Sequence, residues 1–173
     1  MVIVNPFKLE QAHLYILHNS AEVVPYVTQH LAKMEQWIQN EHTRTLISWF
    51  RNQILQELSN PNNTVSKTLR WLSERPKVHV FRYNSYTVKG YQFYTRMKDM
   101  WSIVQNSGVT LVAQALHVSS AKDKNLVYAE MYYYRIVDDI WEVDYIDFRV
   151  FVLKCQWWTT IIIKEWMKMD SDL

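Results

Sequence analysis

Carboxylates are the most concentrated reactive groups in this chain. Five of them fall between residues 138 and 147: Asp138, Asp139, Glu142, Asp144 and Asp147. Such groups can hold two metal ions that activate water at a phosphodiester bond. Their spacing is too short for the separated triad of such an enzyme, and strand alternation puts Glu142 and Asp144 on one face. We therefore interpret the cluster as a water-facing strand surface with no catalytic residue.

The other reactive side chains are sparse. Six histidines are scattered without an HExxH or CxxC spacing for zinc, at positions 13, 18, 30, 42, 79 and 117. The single cysteine, Cys155, has no histidine near it in sequence, which favours a buried thiol over a nucleophile. Two glycines, Gly90 and Gly108, are too few for a phosphate-binding loop. We predict no enzyme activity, no metal, no cofactor and no small-molecule substrate.

Positive charge is concentrated in the middle of the chain, where residues 76–125 carry seven basic and two acidic side chains. The basic residues are Lys77, Arg82, Lys89, Arg96, Lys98, Lys122 and Lys124. Tyr83, Tyr86, Tyr91, Tyr94 and Trp101 lie between them. Cations that neutralise phosphates and aromatic rings that stack on bases form nucleic-acid surfaces. A DNA-binding surface is our first hypothesis; ordinary solvated charge with aromatic core residues is the alternative.

A second group of aromatic side chains predicts a different ligand. Tyr132, Tyr134, Trp141 and Tyr145 could line a peptide-binding surface and form an aromatic cage for a cation. The alternative is that alternate members of this run fill the core. Binding that weakens steeply with salt would separate nucleic acid from peptide as the ligand.

The elements that must position these groups change character near residue 76. Leu46, Phe50, Ile54 and Leu58 repeat at helical spacing, and the helical pattern predicts helices from about 19 to 38, 41 to 58 and 64 to 75. The earlier run 11–17 alternates, which predicts a strand. Residues 1–75 therefore form a predicted helical segment.

After Pro76 the pattern becomes that of short strands. Strands are predicted at 78–81, 86–88, 91–93 and 109–118, with Lys89-Gly90 as a hairpin turn. A three-strand meander is predicted over 126–157, with Asp138-Asp139 and Ile146-Asp147 as its turns. The predicted fold class is α+β, in which residues 76–158 form a small antiparallel β module. The candidate architectures are a compact twisted sheet and a small SH3-like barrel, and residues 159–173 form a divergent tail.

Five long motifs stand out in the second half of the chain: GYQFYT at 90–95, QNSGVTLVA at 105–113, SSAKDKN at 119–125, YYYRIVDDIWEVDY at 132–145 and FVLKCQW at 151–157. They resemble domains of unknown function in plant CACTA-type (En/Spm-like) transposon proteins. Upstream, QAHLYILHNSAEVVPYV and WIQNEHTRTLISWF look like the end of a second such domain. The chain departs from the pattern at Arg75 and Arg135, where glycine is usual. The abrupt beginning and end are those expected of a truncated copy.

The resemblance implies a function without catalysis. In such proteins these domains follow the transposase segment, so the catalytic carboxylates are expected upstream of this chain. The expected function is a nucleic-acid-binding accessory module; the alternatives are a peptide-binding module or a non-functional relic. DNA and other transposon-encoded or chromatin proteins are the expected partners. Without a secretory signal or a long apolar run, we expect the nucleus or cytoplasm, and neither secretion nor a membrane.

Overall fold

The computed structural model describes residues 1–32, 39–117, 127–157 and 165–169, and within them the chain forms both helices and strands. The described helices are α1 (Pro6–His18), α2 (Val24–Ala32), α3 (Gln39–Leu58), α4 (Lys67–Ser73) and α5 (Arg96–Asp99). The described strands are β1 (Val2–Ile3), β2 (His79–Tyr83), β3 (Ser85–Val88), β4 (Tyr91–Tyr94), β5 (Gly108–His117), β6 (Val127–Asp144), β7 (Arg149–Trp157) and β8 (Glu165–Met169).

The strands confirm the α+β class but not the barrel. β1, β2, β6, β7 and β8 are hydrogen-bonded in that order, and β5 pairs with β6. β3 and β4 form a separate two-stranded sheet. The described strands do not close on themselves, so the expected SH3-like barrel is wrong. β3 with β4 and β5 with β6 pair antiparallel, as predicted for the β module. β1 also pairs antiparallel with β2, although no strand was predicted at residues 2–3.

The residues pack into two compact units that are not continuous in sequence. Unit 1 contains described residues of Met1–Arg82, Trp141–Val152 and Trp166–Leu173. Unit 2 contains described residues of Tyr83–Ile140 and Leu153–Glu165. β6 and β7 therefore contribute residues to both units. The division of the chain into domains at residues 75 and 158 stays a prediction.

The first helix replaces the strand that we predicted at 11–17. Leu9, Ala12, His13, Ile16 and Leu17 are buried at the spacing of one helical face. Upstream, the Asn5 side chain accepts a hydrogen bond from the Phe7 N–H at 2.9 Å, and Pro6 occupies the first turn. The short alternating run lies inside this longer helical pattern, which begins before it and determines the structure.

The remaining long helices supply the rest of the core of unit 1. Leu46, Phe50 and Ile54 of α3 are fully buried, as their spacing predicted. α4 begins at Lys67 instead of near residue 64, because the Ser66 hydroxyl accepts a hydrogen bond from the Leu69 N–H at 3.0 Å. These side chains pack with α1 and with strand residues, among them Val80, Trp141, Val143, Tyr145 and Val152.

The predicted meander is two strands instead of three. β6 continues through Asp138 and Asp139 without a turn. Within unit 2 the Asp139 carboxylate lies 3.6 Å from the Lys154 ammonium of β7, so this acidic residue has a partner inside the sheet. The second predicted turn is confirmed, since β6 ends at Asp144 and Ile146 adopts a positive φ of 77°.

The β3–β4 hairpin is confirmed with its predicted turn. Val88 pairs with Tyr91, and the two residues between them, Lys89 and Gly90, have φ values of 47° and 81°. Positive φ at both central residues is the geometry that suits the right-handed twist of a two-residue hairpin. Gly90 adopts it without the clash of a Cβ atom against its own backbone.

Replacing Gly90 with alanine should destabilise the hairpin because of this backbone conformation. No atom lies within 4 Å of a Cβ built at either glycine, so crowding is not the cause. We expect Gly90→Ala to lower the free energy of unfolding by about 1 kcal/mol. Gly108→Ala, at a glycine without positive φ, is the matched control and should change it by less than about 0.5 kcal/mol. Urea unfolding measures both; equal effects would contradict the assignment.

One polar pair lies inside the core of unit 1. The Nδ1 atom of His13, in α1, lies 2.7 Å from the Tyr145 hydroxyl, and both side chains are almost fully buried. Burial, aided by the positive charge of Arg75, lowers the pKa of His13 from 6.5 to about 4. Burial also raises the pKa of Tyr145. At neutral pH the pair is therefore an uncharged imidazole and an un-ionised phenol.

The lowered pKa predicts how stability depends on pH. Between about pH 6.5 and 4 the unfolded chain binds a proton at His13 that the folded chain does not bind. The free energy of unfolding should therefore fall as the pH is lowered through this window, by on the order of 3 kcal/mol from this residue. Urea unfolding at a series of pH values, compared with His13→Leu, isolates the effect. The variant should lose this part of the slope, and two parallel curves would contradict the buried neutral histidine.

Candidate nucleic-acid interface

The five predicted phosphate-binding cations that the structure describes are divided between the two units. In unit 1, the Lys77 ammonium lies 3.1 Å from the Asp144 carboxylate, and Arg82 is an exposed residue of β2. In unit 2, Lys89 lies in the hairpin turn, while Arg96 and Lys98 belong to α5. The other two, Lys122 and Lys124, lie outside the described residues. Unit 2 therefore provides the larger group.

The segment at and after α5 exposes a cluster of large apolar side chains. We call this segment, residues 96–104, the α5 surface. Trp101 is 85% exposed, and the other large apolar residues on it are more than half exposed: Met97, Met100, Ile103 and Val104. An exposed apolar cluster of this kind marks a binding site more often than a scattered single residue does. Arg96 is also exposed.

Backbone hydrogen bonds hold the α5 surface without burying its side chains. The Thr95 hydroxyl accepts a hydrogen bond from the Lys98 N–H at the start of α5. The Asp99 carboxylate then accepts hydrogen bonds from the N–H groups of Asn106, at 3.0 Å, and Ser107, at 2.8 Å. The carbonyl of Ser107 in turn accepts one from the Val137 N–H of β6. The two ends of the segment are thereby fixed.

Asp99 acts as an ionised clasp. Burial alone would raise the pKa of its carboxyl, but hydrogen bonds from Ser107 and Asn106 outweigh that effect and hold the pKa below its usual value. The carboxylate therefore stays charged in neutral solution. The N–H groups of Asn106 and Ser107 partly screen this charge by hydrogen-bonding its oxygens.

A cleft opens beside the clasp in unit 2. It measures about 460 Å³ and is lined by Arg96, Asp99, Met100, Gln105, Ser107, Ile136 and Gln156. This volume falls within the range of about 300 to 1,000 Å³ that is usual for small-ligand pockets. The lining combines a guanidinium, a carboxylate, a hydroxyl, two side-chain amides and apolar side chains, which suits a planar ring with hydrogen-bonding edges.

Two further acidic residues of unit 2, Asp138 and Asp139, interact with side chains near or in the cleft. Burial, together with the neighbouring Asp139, raises the pKa of Asp138 against the opposing effects of Lys154, Gln156 and Arg96. Asp139 is itself within ion-pair distance of Lys154. Both carboxylates thus have basic or hydrogen-bonding neighbours within unit 2.

The predicted stacking aromatics do not share one face. In the β3–β4 hairpin, opposite residues lie on the same side, which places Tyr86 with Phe93 and Tyr91 with Val88 on one face. Tyr83 is in ring contact with Tyr86. Tyr94 is on the other face, and the Lys98 ammonium lies 4.1 Å from its ring centre. The α5 surface therefore continues onto Tyr94 but not onto Tyr91.

The predicted peptide-binding residues also fall into two groups. Tyr132 and Tyr134 are exposed on alternate positions of β6. Trp141 and Tyr145 are buried in the core of unit 1, at 3% and 2% exposure. Only the two tyrosines are available to a ligand on the folded surface.

The expectation of a water-facing strand around Glu142 and Asp144 is wrong. Both side chains are buried, and the guanidinium of Arg149 lies 2.8 Å from the Glu142 carboxylate. Burial would raise the pKa of Asp144, but the Ile146 N–H and the Lys77 ammonium hold it below its usual value. The alternating pattern predicted that these two acidic side chains face water, because the pattern carries no information about partners that are distant in sequence. Cys155 is buried, as predicted.

Sequence reasoning missed several residues of the cleft, namely Met100, Gln105, Ser107 and Gln156. The available signal was the Asn106-Ser107-Gly108 turn, which places residues of the preceding loop beside the strand that follows. Gln156 carries no such signal, because only the packing of β7 brings it to the cleft.

Comparison with known proteins adds no identification: no protein family, curated protein or solved structure matches this chain. The resemblance to transposon-associated domains therefore stays a prediction. Within the described ranges, no three His, Cys, Asp or Glu side chains converge on a point where a metal ion could bind. No helix in this part of the chain combines the length and apolar composition needed to cross a bilayer.

From the hydrogen bonds of Asp99 we predict how the backbone at the end of the α5 surface is held. Asp99→Ala removes the two backbone hydrogen bonds to the carboxylate and the one from the Ser107 side chain, and should lower the free energy of unfolding by about 1 to 2 kcal/mol. Amide hydrogen exchange should accelerate most at Asn106 and Ser107, whose N–H groups lose their acceptor. Asp99→Asn keeps one acceptor oxygen, so its exchange rates and stability should lie between those of Asp99→Ala and the wild type. Unchanged exchange at these two amides would show that the loop is held by other contacts.

Proposed function

We propose that this chain is a non-catalytic nucleic-acid-binding module that acts through the α5 surface and the adjoining cleft of unit 2. The observation that carries the proposal is that one short segment exposes both Trp101 and Arg96, with the cation of Lys98 over the half-buried ring of Tyr94. Aromatic rings and cations on one surface are what single-stranded nucleic acid binds, through stacking and phosphate neutralisation.

A single strand fits better than a duplex. The α5 surface offers the indole ring of Trp101 and two methionine thioethers for unstacked bases, whereas the α5 helix has only four residues and is too short to read a major groove. The cleft could take one base, with the side-chain amides of Gln105 and Gln156 facing its hydrogen-bonding edges. The guanidinium of Arg96 would contact the phosphate or stack on the ring.

The charge distribution supports an anionic ligand even though the whole chain carries a net charge of only +2. In unit 2 the acidic groups around the cleft are hydrogen-bonded by backbone, paired with a cation or raised in pKa, as in Asp99, Asp139 and Asp138. Lys89 and Arg96 are exposed basic residues of the same unit. The interactions of the acidic groups weaken the repulsion that they would exert on an anion at the cleft.

Peptide binding is the second candidate. The exposed Tyr132 and Tyr134 favour it, since tyrosine is enriched at protein interfaces and both project from one side of β6. The many aliphatic and thioether groups of the α5 surface would also suit a partner protein. An apolar peptide interface would respond little to salt, in contrast to a nucleic-acid interface.

The biological setting that we propose follows from the resemblance. As an accessory module of a transposon-encoded protein, the chain would act in the nucleus and bind DNA without cutting it. Other transposon-encoded or chromatin proteins would be its protein partners. Cleavage or joining of DNA by the purified, metal-supplemented chain would contradict the non-catalytic assignment.

Fluorescence anisotropy with a labelled single-stranded oligonucleotide of about 20 nucleotides tests the interface. With about three phosphate contacts, we expect binding to weaken roughly tenfold to twentyfold between about 50 and 200 mM salt. Trp101→Ala should weaken it about tenfold by removing a stacking surface. Arg96→Gln should reduce the logarithmic salt slope by about 0.7, the effect of one lost phosphate contact on a single strand.

Lys67→Gln is the matched control, because Lys67 is an exposed cation of α4 in unit 1. It should leave the oligonucleotide affinity and the salt slope unchanged. If Trp101→Ala and Arg96→Gln behave like this control, the α5 surface is not the interface. If oligonucleotide binding is absent and a peptide-display selection yields ligands lost in Tyr132→Ala and Tyr134→Ala, the peptide-binding alternative is correct.

A further inference from the structure

A small apolar cavity lies in unit 1, and its lining residues are not among those of the α5 surface or the cleft of unit 2. It measures about 100 Å³, and its apolar lining comes from Pro6 and Leu9 of α1, Ile47 of α3, and Pro76 and Val78 before β2. The imidazole of His13 also lines it. The cavity is therefore apolar except for one buried polar ring and the charged pair described below.

That ring has one satisfied nitrogen and one unsatisfied nitrogen. Nδ1 lies 2.7 Å from the Tyr145 hydroxyl, whereas Nε2 is buried and has no hydrogen-bond partner among the described residues. A buried phenol needs an acceptor for its proton, so the hydroxyl donates to Nδ1 and the ring proton resides on Nε2. His13 therefore carries an unused N–H donor and lines a cavity.

We infer that this cavity binds a small neutral molecule, or an apolar group of a larger one, that carries a carbonyl oxygen. The carbonyl accepts a hydrogen bond from the Nε2–H of His13, and its apolar remainder contacts Leu9, Ile47 and the two proline rings. A buried donor without an acceptor is costly, and an incoming carbonyl removes that cost while leaving the apolar lining in contact with carbon.

Charge and volume narrow the class of ligand. The rim carries the ion pair of Arg75 and Glu10, with 3.4 Å between the guanidinium nitrogen and the carboxylate oxygen. Since each charge already has a counterion, the rim does not select for an anion or a cation. A cavity of about 150 Å³ is known to take benzene, so this smaller one suits ligands of about five non-hydrogen atoms, such as short ketones, esters and amides.

The test uses 2-butanone as the probe and the full chain labelled with ¹⁵N. Long-range ¹H–¹⁵N spectra of the imidazoles report the tautomer of His13 before the probe is added and its Nε2 hydrogen bond afterwards. We expect protonated Nε2 in the free protein and a saturable change of this signal on titration, with a roughly millimolar dissociation constant. His13→Leu should weaken the binding, followed through backbone amides around Leu9 and Ile47, about fivefold to tenfold.

His30 supplies the matched control. It is a buried histidine of unit 1 whose Nε2 lies 3.3 Å from the Thr45 hydroxyl, and it does not line the cavity. Its imidazole signals should not move, and His30→Leu should leave the affinity for 2-butanone unchanged. The inference is overturned if the His13 signals do not saturate with 2-butanone, which would mean that only water reaches Nε2. It is overturned also if His13→Leu binds as tightly as the wild type. Neither result depends on oligonucleotide binding by unit 2.

Discussion

Burial of both faces at the end of β6 is the constraint on which unit 1 depends. Residues 141–145 are consecutively buried, although a strand with one face in water would bury only alternate residues. Each polar group in this stretch then needs a partner from elsewhere in the unit. Arg149 forms an ion pair with Glu142, and Lys77 forms one with Asp144. His13 of α1 is hydrogen-bonded to the hydroxyl of Tyr145. These contacts specify how the helix and the flanking strand segments meet the strand, since a shift in register would leave buried charge unpaired.

The same constraint explains which parts of the fold could be predicted from sequence. α3 and the β3–β4 hairpin were predictable because their signals are local: a repeated apolar face in one, and Lys89-Gly90 between alternating residues in the other. The two faces of β6 were not. The pattern Trp141-Glu142-Val143-Asp144 is the same for a half-exposed strand and for one whose acids are paired by Arg149 and Lys77. The partner of Asp144 is 67 residues away, and no local rule reports it.

The candidate interface shows the same limit at the level of function. Composition alone indicated the basic segment at 76–125 and the aromatics between its cations. It could not separate Lys77, which is paired with a buried carboxylate, from Arg96, which is exposed beside a cleft. Nor could composition show that Tyr91 and Tyr94 lie on opposite faces of one hairpin. That placement follows from the two-residue period of a strand, because the two residues are separated by an odd number of positions.

The α5 surface and the core of unit 1 satisfy the backbone in opposite ways, and this difference bears on function. In unit 1 the helices satisfy their own backbone and bury apolar side chains against the sheet. On the α5 surface, the carboxylate of Asp99 accepts hydrogen bonds from two backbone N–H groups, and the carbonyl of Ser107 accepts one from β6. The large side chains therefore need not be buried to hold the segment in place. The backbone of Trp101 and its neighbours is thus held in place, whereas their side chains are exposed. A segment with its backbone already fixed loses less conformational entropy when a ligand covers it, which makes this surface better suited to binding than a loop of the same composition without the clasp.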